Sequence, residues 1–285
     1  MNFSSTLFAL LVLCVLTSGD VSAEDKRAAS ADKEVKSKPV FAFVALRKLS
    51  PPTANQVLID LEAALGKECK IEDIAVDGKS VVFKVDGQQV MYGFIDKPIP
   101  WTDLKNICES SWMWPEATAS LKNHAAHLIV LVLGDKGSTF DRSLLLTKLL
   151  AASSKSFDSA GVYWGHGSVV VSPDQIQKMA KSATKEDPPL LLWLSFHRHK
   201  ERDGSFTVVT EGLDYFDCME VEVINSKQPL KEVLNTVLGV ALITLKGEII
   251  KDGDTIGGEG TSEKIKTHHA KSIRDKSKTV LKIDF

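Results

Sequence analysis

The residues best suited to chemistry in this 285-residue chain cluster around its tryptophans. Trp101, Trp112, Trp114-Pro115-Glu116 and the segment Tyr163-Trp164-Gly165-His166-Gly167 hold four of the five indoles. A buried indole needs a partner for its N–H, so such a concentration is not placed at random. If a helix over 101–123 packs beside the strand end at 161–167, Trp112, Trp114 and Trp164 line an apolar cleft edged by Glu116 and His166. Trp114 is expected to be buried, and Trp164, flanked by Gly165 and Gly167, to be more accessible. Such a cleft suits a non-catalytic module that binds a protein or small-molecule ligand. The alternative is a hydrolase with Glu116 and His166 as acid–base partners, which requires the two within hydrogen-bond reach. Plain core packing is the simpler reading of the same side chains. No catalytic residue is identified beyond that pair.

Other candidates are weaker. His124 and His127 have helix-like metal-ligand spacing, but His127 opens an apolar strand, so both read as structural histidines. His197 and His199 share one face of a strand, since side chains alternate. Arg198 and Lys200-Glu201-Arg202 mark that strand end as solvated, and His268-His269 reads as an exposed polar loop. Asp252-Gly253-Asp254 lacks the ligand series and closing Glu of a calcium loop and reads as a turn. Gly134 to Ser138 follows an apolar strand but lacks the Gly-Lys-Ser/Thr ending of a phosphate loop. Dinucleotide, zinc-protease and nucleophile-elbow motifs are missing. The expectation is therefore no metal and no cofactor.

Composition narrows the partners. A formal net charge of −2 with 25% charged residues offers no dominant basic face, which argues against nucleic acid or an anionic membrane as the main partner. Leu7 to Leu16 (LFALLVLCVL) is an apolar run that Thr17-Ser18-Gly19-Asp20 breaks, and Val21-Ser22-Ala23 offers small residues to a signal peptidase. This pattern predicts an export signal over 1–23, cleaved after Ala23, although no Lys or Arg precedes the run. Ten residues do not span a bilayer, which takes about 20. Leu13 is larger than the residue that usually precedes a lipid-anchored Cys, so Cys14 does not mark a lipoprotein. Residues 24–39 hold no large apolar side chain except Val35 and are expected to form a solvated tether. The expected location is thus periplasmic or extracellular, with no membrane span after processing. Cys69, Cys108 and Cys218 remain, either as buried reduced thiols or with one pair oxidised.

The elements that must position these residues follow from periodicity. Pro39 to Leu49 reads as a strand, and Val57, Leu58, Leu61, Ala64 and Leu65 form a helical stripe that stops at Gly66. Residues 81–95 read as a hairpin with an Asp86-Gly87 turn. A helix over 101–123, a central strand over 127–133, a helix over 144–152, short strands at 161–164 and 168–171 and a helix over 173–183 complete 40–187. Strands at 190–199, 205–210, 219–224 and 279–285, with a helix over 230–245, make up 188–285. The pattern predicts an α+β fold in two layers, a mainly antiparallel sheet with helices on one face. In 40–187 the order strand–helix–hairpin–helix–strand is ferredoxin-like. The half 188–285 is expected to pack on it.

Several of these segments resemble one family. Trp101, Asp103, Leu104 and Cys108, then Trp112 to Ala117, then His124 to Val130 resemble the bacterial family catalogued as domain of unknown function 4261 (DUF4261). Gly161 to Gly165 is similar to its next block. Lys251 to Gly257, Lys264-Ile265 and His269 to Ser272 resemble its C-terminal block, where Pro is more usual at position 271. The resemblance runs in order over roughly 40–285. It implies a bacterial protein and assigns no activity, cofactor or catalytic residue. The export signal departs from family members, which look cytoplasmic.

Overall fold

The computed structural model describes residues 38–285, apart from 50, 52, 67–68, 135–136 and 258–263. The expected signal, its cleavage site at Ala23 and tether residues 24–37 lie outside the described residues. Residues 38–285 belong to one compact unit.

The chain opens with β1 (Val40–Leu46) and α1 (Ala54–Leu65), whose first turn is capped by Thr53 accepting from the Gln56 N–H at 3.3 Å. Then come β2 (Ile71–Asp77), β3 (Ser80–Val85) and β4 (Gln88–Ile95). Asp86 and Gly87 both have positive φ (49° and 81°), the conformation an Asp-Gly hairpin turn requires. Next are α2 (Trp101–Ser110), α3 (Ala117–Leu121), β5 (Ala126–Leu133) and α4 (Thr139–Ser156). β6 (Ser159–Trp164), β7 (Val169–Val171) and α5 (Pro173–Ser182) follow. They build a seven-stranded antiparallel sheet of order β2-β3-β4-β5-β1-β6-β7.

The second part contains α6 (Leu190–Trp193), β8 (Ser195–Lys200), β9 (Phe206–Glu211), a 3-10 turn (Leu213–Phe216) and β10 (Val221–Ser226). It ends with α7 (Leu230–Leu245), β11 (Thr255–Ile256), β12 (Ile265–Lys271) and β13 (Thr279–Asp284). Its six-stranded sheet has the order β11-β12-β13-β10-β9-β8, with β10 and β13 parallel and the other pairs antiparallel. Val233, Val237, Val240 and Ala241 recur at helical spacing on the buried stripe of α7.

The α+β class holds, with two sheets where one was expected. The ferredoxin-like order is present as β1, α1, β4, β5, α4, β6, which are adjacent in the sheet as β4-β5-β1-β6. Its closing helix and strand are α4 and β6, not 101–123 and 127–133 as the sequence pattern suggested. The segment expected as one helix over 101–123 breaks at Ser111 to Glu116 and lies between β4 and β5. Helices on one face describes α1 and α4, which share the main core with Val40, Ala42, Val44 and Leu46 of β1. The opposite face is partly covered as well. There Ala45 packs in a second core with Leu104 and Cys108 of α2, Trp114, and Ala117 and Leu121 of α3. β1 is apolar on both sides, so its alternation buries both faces.

Two further differences have local causes. The 190–199 strand begins only at Ser195, because Pro189 starts a helical turn whose carbonyl accepts from Leu192 and Trp193. β2 escapes a reading by alternation because Glu72, Asp73 and Asp77 interrupt it and its outer half is exposed. Among the described residues Cys108 is buried and Cys69 and Cys218 are half-buried, and no disulfide joins any two of the three. Among the described residues no helix is long and apolar enough to cross a membrane.

Candidate functional site

β7 and β8 are the terminal strands of their two sheets, and a cleft of about 410 Å³ opens between them. Ser168 to Val170 form one wall and Ser195 to Arg198 the other. Trp112 and Met113 close one end from the break after α2, while Glu211 of β9 and Arg274 of the β12–β13 turn contribute charge.

Glu211 is the hub. Antiparallel pairing sets it opposite Ser195, which leaves its carboxylate beside the side chain of His197. Ser168 Oγ donates to its Oε1 at 2.8 Å, and Arg274 Nη1 donates to its Oε2 at 2.8 Å. His197 Nε2 lies 2.8 Å from the same Oε2. The His197 hydrogen bond is the largest cause, with Ser168 and Arg274 adding to it, of a carboxyl pKa held down to about 2. Ser195 Oγ lies 3.1 Å from His197 Nε2, the same nitrogen that serves Glu211. A nucleophile relay needs the hydroxyl and the carboxylate on opposite ring nitrogens. Ser195, His197 and Glu211 therefore make a polar hub and not a triad.

Trp112 is 43% exposed. The Arg198 guanidinium lies 4.6 Å from the centroid of its ring, within cation–π range. Among the described ion pairs Arg198 takes part in none, whereas Arg274 is matched to Glu211.

Of the five residues the sequence singled out, only Trp112 lines this cleft. Trp114 is buried as expected, 6% exposed, with its ring laid on the β6 backbone: a Cβ at Gly161 would stand 2.6 Å from Trp114 Cη2. Glu116 is exposed ahead of α3. Trp164, expected to be the more accessible, is fully buried at 0% and stacks on Trp193 with centroids 6.2 Å apart. It is a β6 residue paired with Ala42 and Val169, and the glycines after it serve close packing instead of exposure. His166 is sandwiched between Phe41 (4.4 Å, edge-on) and Tyr215 (3.4 Å, stacked), and burial pushes its pKa down to about 3. None of the described hydrogen bonds joins Glu116 to His166, and neither lines the cleft.

The remaining histidines divide. His124 Nδ1–H donates to the Leu121 carbonyl at 2.6 Å and its Nε2 accepts from the Ile99 N–H at 2.7 Å, a structural pin as expected. His127 Nδ1 lies 2.7 Å from the Lys97 carbonyl, and burial lowers its pKa to about 4. His199 ends in solvent as expected, but His197 does not. Glu211, Arg274, Ser168 and Ser195 were missed. The only local signal was Ser195-Phe196-His197, two polar side chains on one face at the start of a strand.

Residues 209–284 match the model of a family described as Domain of unknown function (DUF4261). No curated protein and no solved structure matches the chain. The matched segment contains Glu211 and Arg274 but not His197. From Val209 in β9 to the end of β13, the second sheet thus carries the match to DUF4261, the family that the C-terminal motif block resembles.

Proposed function

We propose that the chain is an exported, non-catalytic binding module whose ligand sits in the cleft between β7 and β8. One observation carries this reading: a large aromatic, Trp112, stands exposed at the cleft with Arg198, a cation that takes part in none of the described ion pairs, 4.6 Å from the centroid of its ring. Aromatic and arginine side chains of this kind dominate recognition energetics. Behind them the ionisable groups are engaged with one another. A carboxylate held ionised down to about pH 2 by three donors is a poor general acid or base near neutrality. The export part of the reading rests on the residue pattern over 7–23.

The test is a fragment screen by nitrogen–proton correlation spectra of the processed protein. Binding fragments should shift the amides of Ser168–Val170 and Ser195–Arg198, and Trp112→Ala should abolish those shifts while leaving the fold intact. Fragments that map elsewhere, or turnover of an ester or amide that Ser195→Ala eliminates, would overturn it. For export, the secreted protein should begin at Glu24. An intact Met1 on cytoplasmic material would refute that part.

A further inference from the structure

The shape of the cleft narrows the ligand class. A pocket on one face of a strand is lined by alternate residues, because successive side chains point to opposite faces. This cleft is lined by four consecutive residues of β8, Ser195, Phe196, His197 and Arg198, and by the consecutive Ser168, Val169 and Val170 at β7. It therefore runs along the strand edges and reaches Glu211 of β9 on the adjoining face. β8 is the last strand of its sheet, and among the described residues its outer edge is paired with no strand. An unpaired edge presents a row of backbone donors and acceptors that another extended segment completes.

Charge supplies the second constraint. The cleft sets two guanidinium groups, Arg198 and Arg274, against one carboxylate, Glu211. Arg274 is matched to that carboxylate, which leaves Arg198 as the excess cation. The Arg198 guanidinium lies 4.6 Å from the centroid of the Trp112 ring and enters none of the described hydrogen bonds, which makes its planar fork available to a bidentate carboxylate.

Resting on the reading of the cleft as the ligand site, we infer that the ligand is an extended peptide segment bearing an acidic residue. It adds as a strand to the outer edge of β8 and sets its carboxylate on Arg198. Phe196, buried beneath the edge, keeps the seat of the peptide dry.

The experiment uses a displayed library of random octapeptides selected against the processed chain. Selected peptides should carry Asp or Glu at one fixed position, and Arg198→Gln should weaken them at least tenfold with an unchanged circular dichroism spectrum. Arg198→Glu should bind the same peptide once its acidic residue is replaced by Lys. Methylating the peptide amides singly should abolish binding at alternate positions and spare the positions between. Enrichment without an acidic position, or binding indifferent to amide methylation, overturns the inference. If no peptide is enriched yet fragments still shift the cleft amides, the inference falls and the binding reading stands. If neither binds, both fall.

Discussion

Arg274 donates to Glu211 at 2.8 Å across 63 positions of sequence, so the β12–β13 turn reaches past β10 to fasten β9. The same carboxylate holds His197 on β8 and Ser168 before β7. One side chain therefore joins both sheets at the cleft.

That hub sets an acid dependence. The Glu211 carboxyl, near 4.5 when unfolded, is held down to about 2 in the fold. A depressed carboxyl stabilises above its unfolded value and loses that contribution as pH falls through the folded one. Stability should drop between about pH 4.5 and 2, and Glu211→Gln should flatten that limb. At neutral pH the substitution should cost about 1–2 kcal/mol, the low end for charged hydrogen bonds because the side chain is partly exposed. Urea melts across pH 2–7 decide it, and an unchanged acid limb in the variant would show the hub to be energetically silent.

Two histidines act in a higher window. Burial lowers His166 to about 3 and His127 to about 4 from 6.5, so the unfolded chain takes up protons that the fold refuses. Stability must then fall as pH drops from about 6.5, before Glu211 begins to protonate. His166→Phe keeps the stacking between Phe41 and Tyr215 and should reduce the slope between pH 6.5 and 4.5. An equal slope in both proteins would mean that the His166 ring is protonated in the fold.

The tryptophans should separate cleanly. Trp114→Ala and Trp164→Ala should each cost about 3–5 kcal/mol, as large core truncations do. Trp112→Ala should stay within about 1 kcal/mol, since nearly half of its surface already meets water. Denaturant midpoints measure the difference, and a costly Trp112→Ala would make that residue part of the core.

Two glycines offer a paired control. A Cβ at Gly167 would lie 2.0 Å from the Trp193 carbonyl oxygen, a backbone atom that cannot swing aside. Gly167→Ala should destabilise by about 1–3 kcal/mol or more. Gly239, inside α7, meets open space, and Gly239→Ala should stabilise by about 0.5–1 kcal/mol. Thermal melts with the two changes in the same direction would contradict the packing described.

The sequence was legible where one local rule decides. The Asp86-Gly87 turn, the six-residue apolar run Leu128–Leu133 of β5 and the stripe of α7 were readable because hairpin chirality, continuous burial and helical period act within a few residues. Which helix and strand close the ferredoxin-like order was not readable. α4 and β6 follow a long insertion, and pairing across that distance depends on which faces remain to be buried. Trp112 was legible as a candidate by its type. Its companions were not, because Ser168, Glu211 and Arg274 meet only through the arrangement of two sheets. Trp164 misled because glycine was read as a sign of a loop, whereas Gly167 marks a place where backbone touches backbone.

That contact bears on how the cleft behaves. Gly167 and Gly212 both press on the Trp193 carbonyl, where added Cβ atoms would stand 2.0 and 2.9 Å away. Ser168 follows the first glycine, Glu211 precedes the second, and Ser195 stands two residues beyond Trp193. Three of the hub residues thus hang from a single weld between the sheets. Because backbone is packed on backbone there, the gap between β7 and β8 is already formed in the free chain. A ligand entering it meets a slot already cut to size, and the entropy lost on association falls on the ligand instead of the protein.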